Sequence, residues 1–270
     1  MKLDLHGRTA YAYTGGKPFD PALPTVVFLH GALNDHSVWA LQSRYMAHHG
    51  YGVLAIDLPG HGRSDGPALA TVEAMRDWLL ALLDAAGVRR AALVGHSLGS
   101  LVGLETAAAL GERATHLVMV GTAFPMKVSD ALLATGRERP YDAIHMVNVF
   151  EHSTIAAKPS APGPGAWLHG SGLALKRRML DGYAAAHGDN LFPIDFGACD
   201  RYAGALEAAA RVRCPVRFVL GAKDSMTFPK GAAELARALK AEVLTLPAGH
   251  SLMTEAPDAV LNALTGFIPA

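Results

Sequence analysis

The chain has 270 residues, half of them hydrophobic, enough to bury a large core as one domain with an insertion or as two domains. Its 24 lysines and arginines balance 24 aspartates and glutamates, which argues against DNA, RNA or an anionic membrane as a partner. The two cysteines, Cys199 and Cys214, form no CxxC pair, which argues against a disulfide framework and fits a reducing compartment.

Met1-Lys2-Leu3-Asp4-Leu5-His6 has no apolar core of signal-peptide length, and no stretch reaches the roughly 18 apolar residues of a membrane helix. The expectation is a cytoplasmic protein that acts on a small molecule. The oligomeric state stays open. The short basic clusters Arg89-Arg90 and Lys176-Arg177-Arg178 read as solvated faces.

In chain order, residues 2–14 read as an antiparallel strand pair at a sheet edge. Apolar runs follow at 25–29, 52–57, 91–94, 117–120, 216–220 and 242–246. Most are rich in Val, Leu or Ile without clean alternation, as in strands buried on both faces of a parallel sheet. Helical patterns lie between them at 72–86, 98–110, 229–239 and 257–267, with Pro229 and Pro257 suited to first turns. Such alternation implies crossover units and a mainly parallel sheet flanked by helices.

The rhythm breaks between 124 and 212. Helical pieces are expected around 130–135, 141–150, 173–186 and 202–211. Between them, Lys158-Pro159-Ser160-Ala161-Pro162-Gly163-Pro164-Gly165 cannot hold a regular helix. The predicted organisation is an α/β core of residues 1–123 and 213–270 with a helical cap, 124–212, over the sheet's C-terminal edge. Loops at that edge carry ligand sites in such sheets.

Gly95-His96-Ser97-Leu98-Gly99 fits G-x-S-x-G. A buried strand leads in and an apolar, Ala-rich helix leads out, the setting of a nucleophile elbow. A serine on so tight a turn is strained. Strand and helix approach closely there, so side chains two positions before and after would clash. The helix start favours negative charge near Ser97.

A serine hydroxyl needs a base. Of thirteen histidines, His250 alone follows the last apolar run and a Pro247-Ala248-Gly249 turn and precedes the final helix, at the same edge as Ser97. Its carboxylate partner is Asp224, just past 216–220; capping the helix near Pro229 is its other reading. The order Ser97, Asp224, His250 is nucleophile, acid, base. For the oxyanion, the Leu98 N–H is one donor and the loop His30-Gly31-Ala32-Leu33 supplies the other. Ala32 is the first choice and Leu33 the second. His30 reads as a brace of that loop, and Asp57 as a turn residue.

These segments, with Asp57-Leu58-Pro59-Gly60-His61-Gly62-Arg63-Ser64 and Gly249-His250-Ser251, resemble the capped α/β-hydrolases, a group of esterases, C–C bond hydrolases, haloperoxidase-like enzymes and dehalogenases. The resemblance spans nearly all of the chain outside 124–212. It implies an α/β-hydrolase fold and no cofactor. Dehalogenases and epoxide hydrolases carry Asp at the elbow, so Ser97 argues against both. A metal site is not expected, since no H-x-H or H-E-x-x-H occurs. His145 and His152 in the cap are candidates to face the substrate, but read as exposed. Met126, Met146, Met179 and Met253 are candidates for an acyl pocket or for core packing.

The expected reaction is hydrolysis of a small-molecule carboxylic ester. The rivals are C–C cleavage or acyl transfer by the same three residues, and a ligand-binding protein without activity. For an anionic C–C substrate, Arg137, Arg139, Lys176 and Arg177 are the candidate contacts.

Overall fold

A computed structural model describes residues 1–153 and 164–270, with 164–166 as backbone alone. Eight strands form one sheet in the order β1-β2-β4-β3-β5-β6-β7-β8. They are β1 (Lys2–Leu5), β2 (Arg8–Tyr13), β3 (Thr25–Leu29), β4 (Gly52–Ile56), β5 (Ala91–His96), β6 (Ala114–Val120), β7 (Val216–Gly221) and β8 (Glu242–Leu246). The β1–β2 hairpin is antiparallel and joins β4 antiparallel; every later pairing is parallel.

The parallel strands follow the apolar runs, and β3 and β4 are buried along their whole length. Strand β8 differs. It is an edge strand with four of its five residues exposed, because nothing among the described residues pairs its outer side. From β3 the chain crosses to β4 on one side and later to β5 on the other. The β3 and β5 ends therefore flank a crevice where the winding reverses, the usual ligand position in open α/β sheets.

Helices cover both faces. Val27, Leu29 and Leu93 join α2 (Val72–Ala85), α3 (Leu98–Leu110), α8 (Ala205–Arg211) and α9 (Ala233–Ala238) in one core. Val26, Phe28 and Val94 pack the other face against α1 (Ala40–Ala47), α10 (Leu252–Glu255) and α11 (Pro257–Thr265). Neighbouring residues of one strand thus serve opposite layers. Helix α3 is buried on nearly all sides, which explains its lack of a polar face.

Between β6 and β7 lie α4 (Asp130–Glu138), α5 (Pro140–Phe150), α6 (Pro164–His187), α7 (Leu191–Arg201) and α8, with no strand among the described residues. Leu133, Ile144, Val147, Leu180, Phe192 and Phe196 form a core there that Leu33 of the β3 loop enters. Helix α6 starts at Pro164, inside the segment expected to be irregular; a proline is tolerated in a first turn, where its missing N–H is not needed. The rest of that segment, 158–163, lies outside the described residues. Sequence reading missed α1 and α7. Pro193, Asp195 and Gly197 weaken the helical signal of α7, and its buried face supplies the stability instead.

Candidate active site

Ser97 sits between β5 and α3 with φ 52° and ψ −121°, left-handed backbone that a non-glycine residue rarely adopts. A side chain on Gly95 would overlap the Gly99 carbonyl and approach Ser100 Cα at 2.6 Å; one on Gly99 would lie 2.5 Å from the Leu29 and His30 carbonyl oxygens. Those are backbone atoms that cannot move aside, so glycine at both positions follows from geometry. Ser97 is half-buried and faces a cavity of about 330 Å³ that Ala32, His96 and His250 also line.

His250 is buried, and its Nδ1–H donates to Asp224 Oδ2 at 2.8 Å. The second oxygen of Asp224 accepts from the Met226 and Thr227 amides, both at 2.8 Å, while the Thr227 hydroxyl donates to Oδ2 at 2.7 Å. One oxygen of Asp224 thus holds the local turn at 224–227 and the other holds the histidine; it does not cap the helix at Pro229, whose N-cap is Phe228 with no side-chain cap bond. Burial works against the carboxylate's charge, but the His250 imidazole and these donors outweigh it and hold Asp224 down to about 2. For His250 burial disfavours the cation, yet Asp224 overcomes that and raises its pKa above 6.5.

Main-chain contacts fix the His250 backbone on both sides. Its carbonyl accepts from His96 Nε2 at 2.9 Å, and its amide donates to the Glu151 carbonyl at 2.7 Å. The Ser251 amide donates to that same carbonyl at 3.0 Å. The buried His96, crowded by burial and by His250, is pushed down to about 3 and stays neutral.

The β3 loop bears on the choice of oxyanion donor. The Leu33 amide donates to Asp195 Oδ2 of α7 at 2.8 Å, so that N–H is occupied. The Ala32 and Leu98 amides have no acceptor among the described residues. Leu33 itself has φ 52°, a second strained position beside the cavity. His30 donates from Nδ1 to the Gly31 carbonyl at 2.8 Å and accepts the Leu58 amide on Nε2 at 3.1 Å, as a brace would. Asp57 accepts from the His36 amide and ring and from the Arg63 amide, tying the β3 and β4 loops together. The ligand atoms of Asp35, His36 and Asp57 lie within 4.8 Å of one another. Their carboxylate oxygens already serve Ser37, Arg178, His36 and Arg63, so the cluster works as a hydrogen-bonded brace.

Two expectations are corrected. Lys176 is not on a solvated face: it is 2% exposed, lines the cavity and pairs with Glu151 at 2.6 Å. His152 is buried rather than exposed, with Nδ1 2.8 Å from the Asn148 carbonyl; His145 is exposed. Arg177 stacks on Tyr141 and Arg139 pairs with Asp142, and neither they nor Arg137 line the cavity. Met126 and Met146 line it, joined by Met226, whereas Met179 and Met253 pack in separate apolar clusters. Sequence reading also missed His96, Thr227, Asp195 and Glu151. Only His96, inside the elbow itself, and Thr227, three residues past Asp224, had a local signal.

The model of the alpha/beta hydrolase family matches residues 26–263. The chain belongs to that family. Solved structures agree with the fold of this alpha/beta hydrolase: an enol-lactonase from Burkholderia xenovorans LB400 superposes with a TM-score of 0.80 at 23% identity over 99% of both chains. A thermophilic esterase does so with a TM-score of 0.78 at 22% identity, covering 99% of this chain and 96% of that one. Among curated relatives, a putative carbamate hydrolase RutD of Enterobacter cloacae subsp. cloacae is 27% identical over 93% of this chain and 94% of its own. The chain also matches dihydrolipoyllysine-residue acetyltransferase components of acetoin cleaving systems. It is 34% identical to that of Cupriavidus necator over 48% of this chain, and 27% identical to that of Pseudomonas putida over 90%. It spans only 33% and 63% of those two proteins' lengths. No helix among the described residues is long and apolar enough to cross a membrane.

Proposed function

We propose that the chain is a serine hydrolase of small-molecule carboxylic esters, with Ser97 as nucleophile, His250 as base and Asp224 as its orienting acid. The observation that carries this reading is one cavity shared by a strained Ser97 and by His250, whose Nδ1 already holds Asp224. Ser97 attacks the ester carbonyl while His250 Nε2 takes its proton. The Ala32 and Leu98 amides receive the oxyanion. His250 then protonates the leaving alcohol, and a water it activates releases the acid from the acyl-enzyme.

Residues 124–212 act in this reading as a cap that shapes the acyl side of the cavity with Met126, Val128, Leu132, Met146 and Phe196. Esterase and lactonase neighbours share the fold, and the carbamate hydrolase relative acts by its name on a related acyl bond. Cleavage of an anionic C–C substrate fits less well: Lys176 is the one cation of the four candidates on the cavity wall, and Glu151 already neutralises it. The protein is expected in the cytoplasm, without a cofactor, metal, nucleic acid or membrane partner.

A folded Ser97→Ala variant should lose about 10⁴-fold or more in kcat on p-nitrophenyl esters. Full retention of activity would sink the mechanism. Failure of the folded wild type to react at Ser97 with a fluorophosphonate would favour a binding protein.

A further inference from the structure

The Glu151–Lys176 pair has no part in the mechanism, yet it stands in the wall of the candidate active site. Both residues are buried, at 5% and 2% exposure. Burying such a pair costs several kcal/mol of desolvation per ion, and apolar residues of like volume serve stability as well or better. Stability is therefore a poor reason for it.

Its position points to a role. The Glu151 carbonyl holds the His250 and Ser251 amides, so the pair lies against the base. In ester hydrolysis His250 hands its proton to the leaving oxygen, which puts the alcohol part on that side. Asn34, His96, Glu151 and Lys176 line the 330 Å³ cavity and also a second one of about 390 Å³. The second carries four hydroxyls, from Ser37, Ser171, Ser251 and Thr254; the first carries as many but adds three methionines and three phenylalanines, so it is the more apolar of the two.

The pair also has unused capacity. Lys176 spends one of its three N–H donors on Glu151 Oε1, and Glu151 Oε2 has no donor among the described residues. We propose that Glu151 and Lys176 form a leaving-group subsite selecting esters whose alcohol part carries a neutral group that both accepts and donates a hydrogen bond, a hydroxyl or an amide. Lys176 donates to that group and Glu151 accepts from it. A carboxylate there is disfavoured, because Glu151 has already cancelled the ammonium charge. The subsite rests on the ester-hydrolase reading above.

The test compares 2-hydroxyethyl with propyl butanoate, and 3-hydroxypropyl with butyl butanoate, pairs alike in size. The wild type should prefer the hydroxylated member about 10- to 100-fold in kcat/KM, the worth of a hydrogen bond to a charged group. Carboxymethyl butanoate should fall below 2-hydroxyethyl butanoate. In the Glu151→Gln/Lys176→Met double variant, which leaves no unpaired buried charge, the preference should collapse to within about 3-fold. Ser97-dependent cleavage with a wild-type ratio near one overturns the subsite alone, as does a preference that survives in the double variant. Absence of Ser97-dependent cleavage of every ester overturns the hydrolase reading and the subsite with it.

Discussion

The sheet edge and the helical insertion hold His250 by different means. At the sheet edge, the carboxylate of Asp224 and the ring of His96 reach it from the ends of parallel strands. From the insertion, the Glu151 backbone carbonyl takes its amide, and Glu151 is kept in place by Lys176 of α6. Strand ends are positioned by the pleat and register of the whole sheet, so the first set tolerates change in individual side chains elsewhere. The second set depends on buried charges that must find each other across separate helices. The site therefore has a rigid side and a side whose position rests on a few polar contacts.

The rigid side gives the largest expected effect after loss of Ser97. Asp224→Asn should lower kcat by about 10³- to 10⁴-fold, because the amide cannot hold the same tautomer and leaves the imidazolium unsupported. It should also move the pH profile. If His250 is the base, wild-type kcat/KM should fall as it gains its proton, and with its pKa raised the acid limb should lie above 6.5. Without Asp224, burial dominates and the limb moves below the wild-type position. Stability follows the same linkage. The raised His250 contributes stability below 6.5 that is lost as pH rises through its folded value. Asp224, held at about 2, contributes stability above 3.8 that is lost as pH falls toward 2. A pH–rate series on both proteins checks this, and an unmoved acid limb would separate the limb from His250.

The insertion side gives the next effect, on stability. Asp195 of α7 is wholly buried and joins the Leu33 amide, at 2.8 Å, to His61 Nε2, at 2.9 Å. His61 is buried too; burial opposes its charge, but Asp195 raises its pKa. Asp195→Ala would strand both donors, at a cost of about 3–5 kcal/mol for breaking a buried pair. It would also free the Leu33 amide beside Ala32. Urea unfolding measures the first, and a change in kcat larger than the loss of folded protein would show that the loop's strain at Leu33 is held from the insertion. A loss under about 1 kcal/mol would contradict that picture.

These two sides also differ in how readable they were. Gly95, Ser97 and Gly99 were legible because the elbow is a local solution: one turn, five residues, and a steric rule the letters express directly. Asp224 and His250 were legible because each follows the end of a parallel strand, buried β7 for Asp224 and the edge strand β8 for His250, so the topology sends them to one edge without knowledge of any side-chain contact. Lys176 was misread for the opposite reason. It sits in a run of three cations, and only the packing of α6 decides that the first turns inward while Arg177 and Arg178 stay exposed. Asp195 acts on Leu33, 162 positions away in the chain, and no periodicity carries such a pairing. His152 differs: its partner, the Asn148 carbonyl, is four positions away, and what the letters do not carry there is its burial.

The smallest expected effect bears on the join between the two sides. Glu255 of α10 accepts the Ser153 amide on both oxygens at 3.1 Å and the Gly249 amide at 3.2 Å. It thus ties the end of the insertion's first half to the residue before His250. Glu255→Gln keeps the shape but offers one acceptor oxygen, and its NH₂ cannot accept from an amide. The loss is that of a charge-assisted hydrogen bond, about 1.5–3 kcal/mol if the loop fully yields. Because Asp224 and His96 still grip His250 from the sheet, much less should reach the reaction: about a 3- to 10-fold fall in kcat. KM should barely move and the acid limb should stay at its wild-type position. A fall matching that of Asp224→Asn would mean that the strand-end contacts cannot hold the histidine without the insertion, and the distinction between a rigid side and a dependent side would fail.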